Sequence, residues 1–150
     1  MIRRPPRSTQ SRSSAASDVY KRHDIQTVEK WPLKKAMNWT KKSFEAAIMA
    51  GYDMIHVDPT VDIFNEILSI ETVANRTIEL IKHCESFRVL KKKPPISYEV
   101  GTEEVKGGLA DLNIFKKFLK LLRAGLQEQG IGHVWPVFVV GKVGTDLHTT

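Results

Sequence analysis

Apolar positions recur three or four apart in three stretches of the chain, and each stretch leads into a short β-rich segment. In LKKAMNWTKKSFEAAIMAG, Met37, Phe44, Ala47 and Ile48 fall on one helical face, and Gly51 stands where a left-handed helix stop is wanted. YDMIHVD follows (Tyr52 to Asp58), a predicted strand closed by the strand breaker Pro59. The second cycle is IETVANRTIELIKHCESFRVL, with Val73, Thr77, Leu80, Ile81, Cys84 and Arg88 in helical phase; KKKPP ends it before the predicted strand ISYEVG. In the third, Asp111 is a suitable N-cap for LNIFKKFLKLLRAGLQEQ, whose inner stripe is Ile114, Phe115, Phe118, Leu119, Leu122 and Leu126. Gly130 stops that helix, and the strand HVWPVFVVG comes next. Between Asp58 and Ile70, PTVDIFNEILS reads as a loop of the kind that carries a site, with room for one helical turn.

Strands joined through helices run the same way, so three such cycles without a hairpin signal predict a parallel sheet of the α/β class. The choice is between an open doubly wound sheet and a (β/α) barrel. No G-x-G-x-x-G follows any strand, which removes the main positive sign of a dinucleotide-binding sheet and favours the barrel. A complete TIM-type (β/α)8 barrel takes about 250 residues. The expectation is therefore an incomplete barrel fragment, about three consecutive parallel strands with their helices over residues 23–150, truncated at both ends.

Composition adds bounds. The 150 residues are 41% hydrophobic and 27% charged, enough apolar side chains for one core. No apolar run approaches the ~20 residues of a membrane helix; the longest, VWPVFVV at Val134 to Val140, suits a buried strand. The single cysteine, Cys84, excludes an internal disulfide framework and a multi-cysteine metal centre, fits a reducing cytoplasm, and reads as an inert packed residue. Of the net charge of +6, residues 1–22 carry +5, which leaves the body nearly neutral. That segment, MIRRPPRSTQSRSSAASDVYKR, has no apolar periodicity and is expected to be disordered. A basic nucleic-acid arm or a transit peptide would share its composition. It resembles more closely the conceptual translation of sequencing-adapter DNA, and is set apart from the fold as an artefact. No nucleic-acid or membrane partner is expected.

Side-chain alternation places the candidate chemistry. Ile55 and Val57 share one face of their strand, His56 and Asp58 the other; Ile96, Tyr98 and Val100 oppose Ser97, Glu99, Gly101 and Glu103. With the apolar face on the helices, His56, Asp58, Glu99 and Glu103 point to the barrel axis, where a carboxylate is costly unless it meets a cation, a metal or a substrate hydroxyl. Gly101, Gly107 and Gly108 leave room for a ligand there. GKVGTDLHTT after the third strand adds Lys142, Asp146 and His148 at the same rim, the end where barrels carry their chemistry. Each residue has a plain alternative: His56 as a satisfied structural histidine, Lys142 as a surface charge, Glu104 as a solvent-facing residue one step out of phase. His83 and His133, in helix and loop contexts, are assigned no chemistry. Histidines and carboxylates gathered at several strand ends suit a divalent-metal or acid–base cluster, although no H-E-x-x-H or paired-cysteine signature is present.

AGYDMIHVD, YEVGTEEVKGGLADLNIF and VWPVFVVGKVGTDLHTT, in that order, resemble consecutive strand ends of the non-catalytic (accessory) subunit family of tagatose-bisphosphate aldolases, over roughly residues 27–150. The resemblance implies a (β/α)8 barrel related to class II, metal-dependent aldolases, in galactitol or related ketose metabolism in the cytoplasm. It also implies a role in supporting a catalytic aldolase subunit. Some relatives are described as ketose or ketose-phosphate 4-epimerases, which would make Asp58 and Glu103 an acid and base. The residues implied to contact a ketose or ketose phosphate are His56, Glu104, Lys142 and Asp146, with Glu103 and His148 as ligands of a divalent metal such as zinc. Older descriptions of the family as a kinase find no support, since no P-loop is present. Lys106 stands where relatives often carry His, so a contact made there by imidazole would be replaced.

Overall fold

The computed structural model describes residues 32–60, 68–101 and 111–140. Three helices and three strands alternate along them: α1 (Leu33–Met49), β1 (Met54–Val57), α2 (Ile70–Leu90), β2 (Ser97–Gly101), α3 (Leu112–Glu128) and β3 (Phe138–Val140). Each helix end follows from local chemistry. The Ser69 hydroxyl accepts from the Thr72 amide at the start of α2, and the Asp111 carboxylate accepts from the Asn113 and Ile114 amides at the start of α3. Gly51 and Gly130 take positive φ just beyond α1 and α3, as expected of left-handed stops. After α2 the same conformation falls to Lys92, at φ 53°.

The sheet order is β1-β2-β3 and both pairings are parallel, with His56 opposite Glu99 and Glu99 opposite Phe138. This is a mixed α/β arrangement of three parallel strands and their helices. Ile55, Val57, Tyr98 and Val100 from one sheet face join Phe44 and Ile48 of α1, Val73, Leu80, Ile81 and Cys84 of α2, and Phe118, Leu122 and Leu126 of α3 in a single core. The helices therefore cover that face, and α2 packs against both α1 and α3. A close approach of α2 and α3 occurs at Gly125, where a Cβ would fall 2.2 Å from Ile78 Cδ1. Among the described residues no helix is long and apolar enough to cross a membrane.

Several expectations change in detail. The first strand is the four residues from Met54 to Val57, shorter than Tyr52 to Asp58. The third is only Phe138–Val140: Val134 closes a turn onto the Ile131 carbonyl, and Pro136 has no amide to give a ladder. Nor is this run a buried strand, since Val137 and Phe138 are exposed. Arg88, in helical phase with the core positions of α2, is half-buried and pairs with the buried Glu85. In α3, Phe115 is only half-buried. Residues 1–22, and residues 61–67 of the loop after β1, lie outside the described residues.

Candidate functional site

Because side chains alternate along a strand, the face opposite the helices receives His56 from β1, Glu99 and Gly101 from β2, and Phe138 from β3. The parallel register makes His56 and Glu99 direct neighbours. His56 Nδ1 lies 3.1 Å from Glu99 Oε2, with the two side chains 14% and 27% exposed. Which partner donates is set by the histidine tautomer. Glu99 was expected on this face from alternation alone; its pairing with His56 depends on the register, which the sequence does not state.

Asp58 follows β1 at its carboxyl end. Its Oδ1 accepts from the Thr60 amide at 3.0 Å and from the Thr60 hydroxyl, closing a tight turn over Pro59. Thr60 is itself buried, and Arg76 of α2 reaches the Pro59 carbonyl from the helix side. The other carboxylate oxygen packs over Gly101: a Cβ there would stand 2.7 Å from Asp58 Oδ2 and 3.0 Å from its Cγ. Gly101 was expected to leave room for a ligand. That space is filled by the neighbouring strand's carboxylate, so at this position glycine serves contact between β1 and β2.

Thus the structure brings His56, Glu99, Asp58 and Gly101 together on one face near the carboxyl ends of β1 and β2. Glu103, Glu104, Lys106, Gly107, Gly108, Lys142, Asp146 and His148 lie outside the described residues. Among the described residues no group of three His, Cys, Asp or Glu side chains could hold a metal ion. His83, assigned no chemistry, uses Nε2 to reach Glu45 at 2.8 Å, and so joins α2 to α1.

A second polar group, on the helix side, was not anticipated. Glu85, 4% exposed, accepts from the Tyr98 hydroxyl at 2.9 Å and from Arg88 Nε at 2.8 Å. The hydrogen bond that Arg88 donates to Glu85 raises the pKa of Arg88, and burial, more than any other cause, raises that of Tyr98. Burial also pushes the Cys84 thiol well up, in keeping with an inert packed cysteine. The only sequence signal for this network was an acidic residue inside an apolar stretch of helix, one turn before an arginine.

Compared with known proteins, the chain matches no protein-family model and no curated sequence.

Proposed function

We propose that this chain is part of a (β/α) barrel of the accessory-subunit type, in which a ketose or ketose-phosphate pocket supports the work of a class II tagatose-bisphosphate aldolase in the cytoplasm. The observation that carries the reading is the division of the sheet into two faces. One is closed by three helices; the other gathers His56, Glu99 and Asp58 toward the carboxyl ends of parallel strands. Barrels hold their chemistry at that end. In this reading Asp58 and Glu103 flank the sugar, while His56, Glu104, Lys142 and Asp146 hold its hydroxyl or phosphate groups. Glu103 and His148 would supply ligands to a divalent metal such as zinc.

A second reading, a metal-dependent ketose 4-epimerase, is favoured by the His56–Glu99 contact, since an imidazole oriented by a carboxylate suits proton transfer. Asp58 and Glu103 would then be acid and base. In both readings the 150-residue chain by itself is expected to be inactive, because a barrel site draws groups from several strands.

The test begins with the source DNA. Reading the frame on both sides of this stretch should reveal further helix–strand cycles that complete a barrel, with no counterpart of residues 1–22. The encoded protein should then bind a class II aldolase and raise its cleavage of tagatose 1,6-bisphosphate. Metal-dependent interconversion of ketoses without any aldolase would establish the second reading instead. Flanks without such cycles would sink both.

A further inference from the structure

We propose that Glu99 is a positioning residue that holds His56 as its Nδ1–H tautomer, so that Nε2 is presented on the sheet face opposite α1, α2 and α3 as an acceptor for a ligand hydroxyl. The geometry rests on strand register: His56 and Glu99 are direct parallel partners, each from the interior of its strand, and the 3.1 Å contact uses Nδ1 alone. A carboxylate cannot donate, so Nδ1 carries the proton and the lone pair of the neutral ring is at Nε2. The Nε2 atom has no hydrogen-bond partner among the described residues. With Nδ1 committed to Glu99, Nε2 is the polar ring atom left to meet a donor, and a ligand hydroxyl is a donor that suits it. His83 shows the opposite arrangement in the same molecule: its Nε2 is the atom committed to a carboxylate, Glu45, in a contact between two helices.

The same cross-strand row ends in Phe138, 58% exposed and opposite Glu99. A bare ring beside two acceptors suits a ligand with hydroxyls on one side and C–H groups on another, which is the chemistry of a sugar. The choice of a sugar hydroxyl as the donor rests on the ketose reading above; the tautomer does not.

The experiment is long-range proton–nitrogen NMR on the protein encoded by the whole reading frame at about pH 8, above the ordinary histidine range, first free and then titrated with D-tagatose. The wild-type spectrum should show His56 as the Nδ1–H form, and Glu99→Leu should move it toward Nε2–H. D-tagatose should shift Nε2 in the wild type and bind about tenfold more weakly to Glu99→Leu, the equivalent of one hydrogen bond. An Nε2–H or doubly protonated ring in the wild type overturns the proposal whatever the sugar does. If Glu99→Leu does not fold, the wild-type tautomer and titration still decide. A correct tautomer with D-tagatose shifting other resonances but not Nε2 overturns the acceptor role and leaves the proposed function standing. No response to D-tagatose anywhere counts against the ketose reading and the acceptor role together, while the tautomer result still scores Glu99 as the positioning group.

Discussion

The Tyr98 hydroxyl, from the middle of β2, donates a 2.9 Å hydrogen bond to Glu85 in the middle of α2. Arg88, one turn along the same helix, holds the other carboxylate oxygen. A buried carboxylate is tolerable only with such partners, and removing one leaves a charge short of compensation. Tyr98→Phe should therefore lower stability by about 1–2 kcal/mol. Arg88→Ala should cost more, about 3 kcal/mol, because it takes away the countercharge. Urea unfolding checks both, with the midpoint falling and the slope unchanged; equal and negligible effects would mean that the network contributes nothing.

Gly101→Ala places a methyl group 2.7 Å from Asp58 Oδ2, too close for any Cβ. The carboxylate must move, and with it the turn through Thr60. A loss of about 1–3 kcal/mol is expected. Adding Asp58→Ala should recover part of that loss, since the obstacle is then gone, and a double-mutant cycle measures the coupling. Strict additivity would show that the two residues do not press on each other.

Two buried acids fix the behaviour at high pH. Cys84, with an ordinary value of 9.0, and Tyr98, with one of 10.0, both have raised folded pKa values, chiefly through burial. Below about pH 9 both groups are protonated folded or unfolded, so stability does not depend on them. Above it the unfolded chain releases the thiol proton and the folded chain keeps it, so stability falls by about 1.4 kcal/mol per pH unit, and about twice as steeply once the phenol follows. Cys84→Ala should remove the first phase and leave the second. Unfolding free energy measured from pH 8 to pH 11, roughly spanning the ordinary thiol and phenol ranges, is the readout.

Val137, just before β3, and Phe138, its first residue, are exposed apolar residues. Phe138→Ser should change folding stability by no more than about 0.5 kcal/mol. It should also reduce self-association seen by light scattering, because it removes apolar surface from a strand that pairs on one side only among the described residues. Unaltered association would place the sticky surface elsewhere.

The alternation of three helices with three strands was legible because apolar spacing changes from helical period to strand period at each boundary, and glycines mark two of the stops. Cys84, Leu122 and Leu126 were legible as core for the same reason. Strand lengths were less so: Pro136 lies inside an apolar run, and its missing amide shortens β3 without altering the hydrophobic pattern. The face of His56 and Glu99 could be read from alternation, but their contact could not, because parallel register is set by helix length and packing rather than by residues near the strands. Gly101 was noticed and given the wrong neighbour; a glycine's vacancy can be filled from any adjacent strand. Glu85 was missed because a single acidic residue in a helix usually faces water, and only the position of Tyr98 shows that this one does not.

Every strand partner in this sheet is far away along the chain: Met54 pairs with Ser97 and Gly101 with Val140, each across an intervening helix. Among the described residues the sheet has no hairpin from which to begin, and its pairing must wait for a long loop to close. During synthesis at about 5–20 residues per second, β1 spends roughly 2–9 s complete but without its neighbour. Through that interval Ile55 and Val57 lack their β2 neighbours, and α2, which packs on β1, is the element made next that can cover them. Each intervening helix is thus the closing link of one strand pair: α2 must fold back for β1 to meet β2, and α3 for β2 to meet β3.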